Sequence, residues 1–344
     1  MKIGLTYDLR SEYAEMGFTE EETAEFDSDE TISALEQTLR GLGHSVVRIG
    51  NIYELIRCLS AGERWDLVFN ISEGLHGRNR EAQLPALLEA YNIPYTFSDP
   101  LTLSLSLDKA MAKRVARDAG ISTPDFLVVN SADDLTNMLE TGIEFPLFVK
   151  PVSEGTSKGV SPESIVDNMD KLKKQCSKLL LKYNQPVLIE KYIPGREFTV
   201  GILGTGDAAR VIGVMEVKLL KNADPNVYSF MNKELSEERV KYTAIKDKNL
   251  LKEASDLALN AFRVIGCRDA GRADLKADKD GKLYFIEMNP LAGLHPTHSD
   301  LPILCSKIGI TYKELISEII NSALKREKNA ADVRLYSKAP TLAN

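Results

Sequence analysis

The pattern of apolar and polar positions over residues 1–105 alternates between short strands and helices. Apolar runs predict strands at Lys2–Tyr7, His44–Ile49, Trp65–Ile71 and Pro94–Phe97. Apolar positions at helical spacing predict helices at Ser28–Leu42, Ile52–Leu59 and Arg80–Tyr91. Ser28 or Asp29 can cap the first of these helices, and Gly43 ends it. This order predicts an α/β unit with a parallel sheet and helices on both faces.

From Asp108 onward the pattern changes, and the C-terminal part reads as α+β. The expected strands are Phe126–Val129, Pro146–Lys150, Val187–Tyr192, Glu197–Gly204 and Ala209–Val217, the last two antiparallel. The expected helices are Asp108–Gly120, Ala132–Thr141, Ser164–Lys182, Leu250–Ile265 and Tyr312–Lys325. Tyr228–Val240 reads as a polar, turn-like excursion and Pro290–Pro302 as an irregular loop. We expect units at residues 1–105, 106–195 and 196–325, and a disordered tail at 326–344.

Acidic, amide and arginine side chains are concentrated on the segment from Asp269 to Gly293. Asp-Gly between Gly271–Ala277 and Lys282–Asn289 predicts a hairpin. Because side chains alternate along a strand, Glu287 and Asn289 share a face, as do Arg272 and Asp274. Two acids and an amide converging across a hairpin offer hard oxygen ligands of the kind that Mg²⁺ binds beside phosphates. A solvated hairpin face with an Arg–acid pair is the alternative.

Two further segments suggest a nucleotide site. Lys150 ends a predicted strand, and the small-residue loop Val152–Gly159 follows it, which suits backbone binding of phosphate, although the glycine spacing is not that of a Walker loop. A surface turn would have the same composition. The strand Val187–Tyr192 ends in Glu-Lys, which fits either the edge of an adenine pocket or a strand that runs out to solvent.

Two loops lie where the predicted parallel strands end, which is where ligands bind in open α/β sheets. The acidic loop Glu12–Glu30 follows the first strand and is either a cover over a site or a solvated insertion. The loop Ser72–Arg80 follows the third strand and contains His76, either a ligand contact or a surface residue.

Composition excludes several classes of protein. The net charge of -7 argues against a general nucleic-acid binder and against binding to an anionic membrane surface. No apolar run has the length of a membrane span, and the N-terminal residues do not read as a signal peptide. The four cysteines, Cys58, Cys176, Cys267 and Cys305, form no CxxC pair, so a reducing cytoplasmic location without a zinc site is expected.

Five motifs, in this order and at these separations, carry a resemblance to a known family. They are LDKAMAK at 107–113, FVKPVSEGTSKGV at 148–160, VLIEKYIPGREFTVGILG at 187–204, GRADL at 271–275 and FIEMNPLAG at 285–293. Together they resemble the ATP-grasp ligases and, within them, the D-alanine–D-alanine ligase family, over about residues 1 to 323. The resemblance implies an N-terminal parallel-sheet domain followed by a two-lobed ATP-grasp fold.

The resemblance also assigns roles to positions of this sequence. It implies ATP contacts at Lys109, Lys150, Glu154, Ser157, Glu190, Lys191, Tyr192, Ile193 and Glu197. It implies metal ligands at Asp274, Glu287 and Asn289, and catalytic roles for Arg272, the Gly293 backbone, Thr156 and Lys233. It implies contacts to an amino-acid substrate at Glu12, His76, His298 and Ser299. ATP and two Mg²⁺ ions, or Mn²⁺, are the implied cofactors, and a cytoplasmic homodimer with a role in cell-wall synthesis is the implied setting.

The sequence departs from the family pattern on the substrate side. Arg80-Glu81-Ala82-Gln83 stands where the family has a GEDG-like run, Glu234 replaces a tyrosine of the mobile loop, and Thr156 replaces a serine. The exit of the metal strand, Asn289-Pro290-Leu291-Ala292-Gly293, also differs from the family pattern, and His295, Pro296 and Asp300 change the surroundings of His298 and Ser299. The expected activity is ATP-dependent formation of a peptide bond between two small amino acids, with D-alanine as the default. The alternatives are the same mechanism with another amino acid or a specialised-metabolite acceptor, and a non-catalytic ATP-binding module.

Overall fold

The computed structural model of the protein describes residues 1–131, 133–135, 142–224 and 227–337. The predicted helix Ala132–Thr141 falls mostly outside these ranges, as do the last seven residues of the predicted tail. Within the described ranges, none of the helices is both long enough and apolar enough to cross a membrane.

The N-terminal part contains the predicted parallel sheet. Its strands are β1 (Lys2–Thr6), β2 (Ser45–Gly50) and β3 (Leu67–Asn70), in the order β2-β1-β3. Its helices are α1 (Arg10–Glu15), α2 (Asp29–Gly41), α3 (Ile52–Ser60) and α4 (Arg80–Ala90). The Ser28 side chain accepts a hydrogen bond from the Thr31 N–H and so caps α2, as the sequence predicts.

The predicted fourth strand at Pro94–Phe97 is only an isolated bridge between Val68 and Tyr95. Phe97 has a φ of 71°, which turns the chain away from β3. The Phe97 N–H donates to Asp269 rather than to a neighbouring strand. The pairing therefore ends after one bridge, and the sequence prediction of a full strand is wrong.

Two consecutive helices, α5 (Pro100–Leu107) and α6 (Lys109–Asp118), lead into the central lobe. The central lobe is an antiparallel sheet in the order β4-β7-β5-β6. Its elements are β4 (Phe126–Val129), β5 (Leu147–Pro151), β6 (Ile165–Val166), α7 (Met169–Tyr183) and β7 (Val187–Lys191). Helix α7 begins later than predicted because a short 3-10 turn and β6 occupy residues 162–166, and Asn168 caps it.

The C-terminal lobe is a five-stranded antiparallel sheet in the order β10-β9-β8-β11-β12. Its strands are β8 (Glu197–Leu203), β9 (Arg210–Leu219), β10 (Val240–Ala244), β11 (Ala270–Ala277) and β12 (Leu283–Asn289). Its helices are α8 (Phe230–Glu234), α9 (Ser236–Arg239), α10 (Lys248–Ile265), α11 (Asp300–Lys307) and α12 (Tyr312–Ser337). The α/β and two-lobed fold class predicted from the sequence is confirmed.

Three features of this lobe differ from the prediction. The excursion at Tyr228–Val240 contains two short helices, and it leads into the edge strand β10, which the sequence analysis missed. The end of the predicted irregular loop is the start of α11. Helix α12 continues to Ser337, so a helix ending at Lys325 is wrong, and Arg326 is fixed by bonds to the Tyr95 carbonyl (2.8 Å) and to Asp269 (3.0 Å).

The hydrophobic cores place the C-terminal lobe against the N-terminal sheet and against helix α6. One core joins β1 and β3 to helices α2, α11 and α12, through residues such as Ile3, Leu35 and Ile316. A second core lies between the five-stranded sheet and helices α6 and α10, around Phe262 and Phe285. These contacts hold the hairpin of β11 and β12 where the three parts of the chain meet.

Candidate active site

The hairpin of β11 and β12 brings four predicted polar side chains together. Arg272 is the cross-strand neighbour of Asn289, and Asp274 that of Glu287. The Asp274 carboxylate accepts hydrogen bonds from the Arg272 guanidinium (2.9 Å), from the Asn289 amide (3.2 Å) and from the Thr199 hydroxyl (3.0 Å). These bonds contradict the alternative of a solvated hairpin face.

The two hairpin carboxyls have opposite electrostatic surroundings. Burial raises the pKa of Asp274 to about 7 against the opposing charge of Arg272. Burial would also raise the pKa of Glu287, but the charges of Lys109, Lys150 and Lys233 hold it well below its usual range. The Lys109 ammonium lies 3.5 Å from the Glu287 carboxylate. The hairpin therefore presents one firmly ionised carboxylate, Glu287, beside a second, Asp274, whose ion pair with Arg272 does not outweigh the effect of burial on its pKa.

The donor set of this hairpin fits a hard divalent cation. It consists of two carboxylates and an amide, all oxygen ligands of the kind that Mg²⁺ and Mn²⁺ bind. A cation held by Asp274 and Glu287 would add positive charge beside Asp274, whose pKa burial raises in spite of Arg272. Among the described residues, no group of three or more His, Cys, Asp or Glu side chains is arranged to hold a metal.

A cavity between the central and C-terminal lobes contains every predicted ATP contact. Its lining includes Lys109, Lys150, Glu154, Ser157, Glu190, Lys191, Tyr192, Ile193 and Glu197 together with Lys233, Asp274 and Glu287. Phe148 and Tyr192 form a stacked pair beside it, with ring centroids 6.3 Å apart. A cleft with an aromatic side and several lysines suits a nucleotide, because the base can pack on the rings and the phosphates need positive charge.

Glu190 lies at the base of this cavity and holds two lysines. Its carboxylate is 2.9 Å from the Lys113 ammonium and 2.8 Å from that of Lys150. Burial would raise the pKa of Glu190, but the two lysines lower it to about 2. Burial lowers the pKa of Lys113 to about 8 in spite of Glu190. Lys113 is fully buried and was not singled out in the sequence analysis.

The loop after β5 lies over the same cavity. The Lys109 ammonium donates to the Glu154 carbonyl (2.5 Å), and Lys158 pairs with the Glu154 carboxylate (2.5 Å). Thr156 and Ser157 have φ angles of 48° and 56°, so the backbone turns sharply here. The Ser157 hydroxyl donates to the Tyr228 carbonyl (3.0 Å), which joins this loop to the excursion that carries Lys233.

The N-terminal acidic loop Glu12–Glu30 packs on the loop Val152–Gly159, which we call the phosphate loop. This contact favours the interpretation of the acidic loop as a cover over the site rather than a solvated insertion. The Glu25 carboxylate accepts from Arg80 (2.9 Å) and from the Gly155 N–H (2.5 Å), and it lies 3.3 Å from the Lys158 ammonium. Glu21 pairs with Lys182 (2.6 Å) on helix α7. The sequence analysis named the loop but not these residues, because their partners are far away in the chain.

A second cavity of about 400 Å³ adjoins the first on the N-terminal side. It is lined by the predicted residues Arg272, Gly293, Thr156, Asn289, His298 and Ser299. Lys109, Lys233 and Glu287 line both cavities. A Cβ atom on Gly293 would lie 2.7 Å from the Ser299 hydroxyl, so a residue without a side chain suits this close approach.

Two predicted substrate residues line neither cavity. Glu12 is exposed in the first turn of α1, and Arg10 is the residue of that helix that lines the second cavity. The His76 side chain is exposed, and its backbone carbonyl accepts from Gln83 (2.7 Å). The acids that line this cavity instead include Glu25, Asp27, Glu73 and Glu81. The departure from the family pattern at residues 80–83 was the sequence signal that could have indicated Glu81.

Comparison with solved structures identifies the fold. The chain superimposes on a D-alanine–D-alanine ligase from Bacillus anthracis complexed with ATP, with a TM-score of 0.73, 24% identity and coverage of 96% of this chain and 99% of that one. It also superimposes on the VanG D-Ala:D-Ser ligase from Enterococcus faecalis, with a TM-score of 0.72, 20% identity and coverage of 94% and 99%. The chain therefore has the ATP-grasp fold of these ligases.

Sequence comparison identifies the family. The family model described as D-ala D-ala ligase C-terminus matches residues 115–321. A D-alanine–D-alanine ligase from Aquifex aeolicus is 34% identical over 293 residues, which is 84% of this chain and 93% of the relative. One from Bordetella petrii is 34% identical over 252 residues, 72% of this chain and 74% of the relative. The chain belongs to the D-alanine–D-alanine ligase family.

Proposed function

We propose that the protein joins two small amino acids by a peptide bond at the expense of ATP, through an acyl-phosphate intermediate, with D-alanine as the default substrate. The observation that supports this proposal is the set of charged side chains where the two cavities meet. Lys109, Lys233 and Arg272 there surround the carboxylates of Asp274 and Glu287. A site with ATP on one side and amino acids on the other needs this concentration of positive charge.

The chemistry explains why these residue types are required. A carboxylate is a poor electrophile, and its attack on the γ-phosphate converts it to an acyl phosphate that an amine can displace. Both steps develop negative charge on oxygen atoms. Lys150 and Lys109 neutralise phosphate oxygens, and Arg272 and the Gly293 N–H stabilise the charged intermediates at the acceptor side. The loops at Thr156 and Lys233 exclude water, which would otherwise hydrolyse the acyl phosphate.

The proposed cofactor set is ATP with Mg²⁺ or Mn²⁺. Asp274, Glu287 and Asn289 would hold the metal, which supplies positive charge beside the phosphates. In the same proposal the protein acts in the cytoplasm as a homodimer and serves cell-wall synthesis, and its domain boundaries lie near residues 105 and 195. The expected location, dimer and role rest on the resemblance to the family. Size-exclusion chromatography with light scattering tests whether the protein is a dimer.

The decisive experiment measures ADP release and product mass with purified protein, ATP and Mg²⁺. The amino-acid panel contains D-alanine alone and D-alanine paired with D-serine, glycine and the L-amino acids. ADP release with formation of D-alanyl-D-alanine is the expected result. Tight ATP binding without ADP release for any pair would contradict the proposal and favour a nucleotide-binding module.

A further inference from the structure

Asp300 is a buried acid at the junction of the two cavities, and it lines both of them. It is 5% exposed and begins helix α11, where Leu301 and Pro302, the next two residues, are buried as well. Burial of a carboxylate costs free energy unless an opposite charge compensates it. The compensating charge here is the Arg272 guanidinium, whose Nη1 contacts the Asp300 Oδ2 atom.

Arg272 is held at two points by carboxylates from different elements. Its Nη2 donates to Asp274 (2.9 Å), which lies two residues further along strand β11, and its Nη1 contacts Asp300 at the start of α11. Its Nε is buried and has no hydrogen-bond partner among the described residues. The two carboxylates therefore fix the plane of the guanidinium and leave one buried donor for a ligand.

The carboxylates of Asp274 and Asp300 differ in whether they belong to the proposed metal site. Asp274 is a proposed metal ligand, so its oxygens would be shared between Arg272 and a cation if one were bound. Asp300 lies on another element and is not part of the proposed metal set. If Asp274 held a cation, Asp300 would remain as the carboxylate that holds Arg272.

We propose that Asp300 is a positioning residue for the ligase reaction, which acts by fixing the Arg272 guanidinium between the ATP cavity and the amino-acid cavity. The proposal rests on the proposed function, since it presupposes that Arg272 stabilises the intermediates. The Asp300 carboxylate also influences two tyrosine hydroxyls. The charge of Asp300 contributes, after burial, to the raised pKa of both Tyr228 and Tyr242, whose hydroxyls lie 2.7 Å apart.

The test compares Asp300→Leu and Asp300→Asn with the control Asp280→Asn. Asp280 is an exposed acid in the turn of the hairpin that carries Arg272. Asp300→Leu is expected to lower kcat about 100-fold, similar to loss of a transition-state donor, with a KM for ATP within about twofold of wild type. Asp300→Asn keeps a hydrogen-bond acceptor and is expected to retain more activity than Asp300→Leu. The control is expected to keep wild-type kcat.

A double-variant cycle separates positioning from a structural role. If Asp300 acts through Arg272, Asp300→Leu in an Arg272→Ala background lowers kcat by less than about twofold further. Additive losses, or an unchanged kcat in folded Asp300→Leu, would overturn the proposal. Absence of ADP release by the wild-type enzyme would instead overturn the proposed function, and this inference with it.

A readout without turnover completes the test. The Arg272 Nε–H signal in nitrogen-edited NMR spectra should be resolved in wild type with Mg²⁺ and a non-hydrolysable ATP analogue. In Asp300→Leu it should broaden or shift to the position of a free arginine. A signal that is the same in wild type and variant would contradict positioning by Asp300.

Discussion

Glu190 shows how a buried residue combines two roles. The sequence analysis placed it at the adenine edge, and it does line the nucleotide cavity, but its carboxylate also holds Lys113 and Lys150. Removal of Glu190 would leave two like charges buried together. The position of Lys150, the proposed phosphate ligand, therefore depends on an acid 40 residues further along the chain.

Glu190→Ala is expected to cost about 3–5 kcal/mol of unfolding free energy, because it leaves buried ammonium groups without their partner. Urea unfolding measures this loss. The control is Glu63→Gln, whose partner Lys2 forms an exposed ion pair, and which should cost less than about 1 kcal/mol. Equal costs for the two variants would show that the Glu190 pairs contribute no more than a surface pair.

The pH dependence of stability follows from the same residue. The folded-state pKa of Glu190, about 2, lies below its ordinary value of 4.5, so its contribution is complete above pH 4.5 and is lost as the pH falls toward 2. The difference in unfolding free energy between wild type and Glu190→Gln should therefore shrink between pH 5 and pH 3. Urea titrations at both pH values measure it, and a constant difference would contradict the lowered pKa.

Arg272→Ala should lower kcat about 100- to 1,000-fold, because it removes a donor to the charged intermediates. Lys150→Ala and Glu287→Ala should abolish measurable turnover, since each removes a charge that positions the phosphates or their metal. ADP release and circular dichroism together measure activity and fold. Retained activity in Arg272→Ala would contradict its assigned role.

The hairpin residues could be predicted from the sequence because strand alternation and one Asp-Gly turn determine which side chains meet. Glu25 and Arg80 could not be predicted in this way. Their side chains meet across 55 positions of sequence, and no local period relates them. Glu12 was chosen by position in a family pattern, and helix α1 turns it to solvent.

At the scale of elements, the acidic loop and the phosphate loop form one unit through Glu25. Glu25→Gln would weaken the bonds to Arg80, to Lys158 and to the Gly155 N–H. We expect hydrogen exchange at residues 154–160 to become about 10-fold faster, because charge-assisted bonds of about 1.5–3 kcal/mol are lost, and we expect the KM for ATP to rise.

Hydrogen exchange detected by mass spectrometry checks this prediction. Glu22→Gln is the matched control, since Glu22 belongs to the same loop but is exposed and hydrogen-bonds only to Thr19 in the described structure. Equal exchange in the Glu25 and Glu22 variants would mean that the acidic loop does not restrain the phosphate loop.

Helix α5 and strand β10 were not predicted from the sequence, and the physical reason is similar for both. Helix α5 has the sequence PLTLSLSL, which alternates in polarity as a strand does, yet Asp99 caps it and Pro100 starts it. Strand β10 is short and alternates between buried and exposed positions at the sheet edge, where its pairing with β9 decides its structure. Capping and tertiary pairing outweighed local periodicity in both.

At the scale of the whole molecule, Asp269 connects the C-terminal lobe and helix α12 to the N-terminal part of the chain. Its fully buried carboxylate accepts hydrogen bonds from the Phe97 N–H (2.8 Å), the Thr205 hydroxyl (3.1 Å), the Ser322 hydroxyl (2.8 Å) and Arg326 (3.0 Å). The charge of this carboxylate is compensated by a residue that the sequence analysis had assigned to a disordered tail.

Arg326→Met should destabilise the whole protein by about 1–3 kcal/mol, because Asp269 keeps its other donors but loses its cation. Thermal unfolding measures the effect, and Lys325→Met, at an exposed neighbouring position, is the control. An equal melting temperature for the two variants would contradict a structural role for Arg326. The sequence could not indicate this role, since α12 is polar around Arg326 and its partner is 57 residues away.

The shared lining of the two cavities has a consequence for inhibitor design. Lys109, Lys233 and Glu287 face both spaces, so one compound could occupy both with only a short connection. Tethering an adenine-like fragment to an amino-acid analogue would make the second contact intramolecular, and the affinity gain would come from effective concentration rather than from new bonds. Selectivity among related enzymes would then come from the end of the compound in the second cavity, which Glu73, Glu81 and Asp300 line.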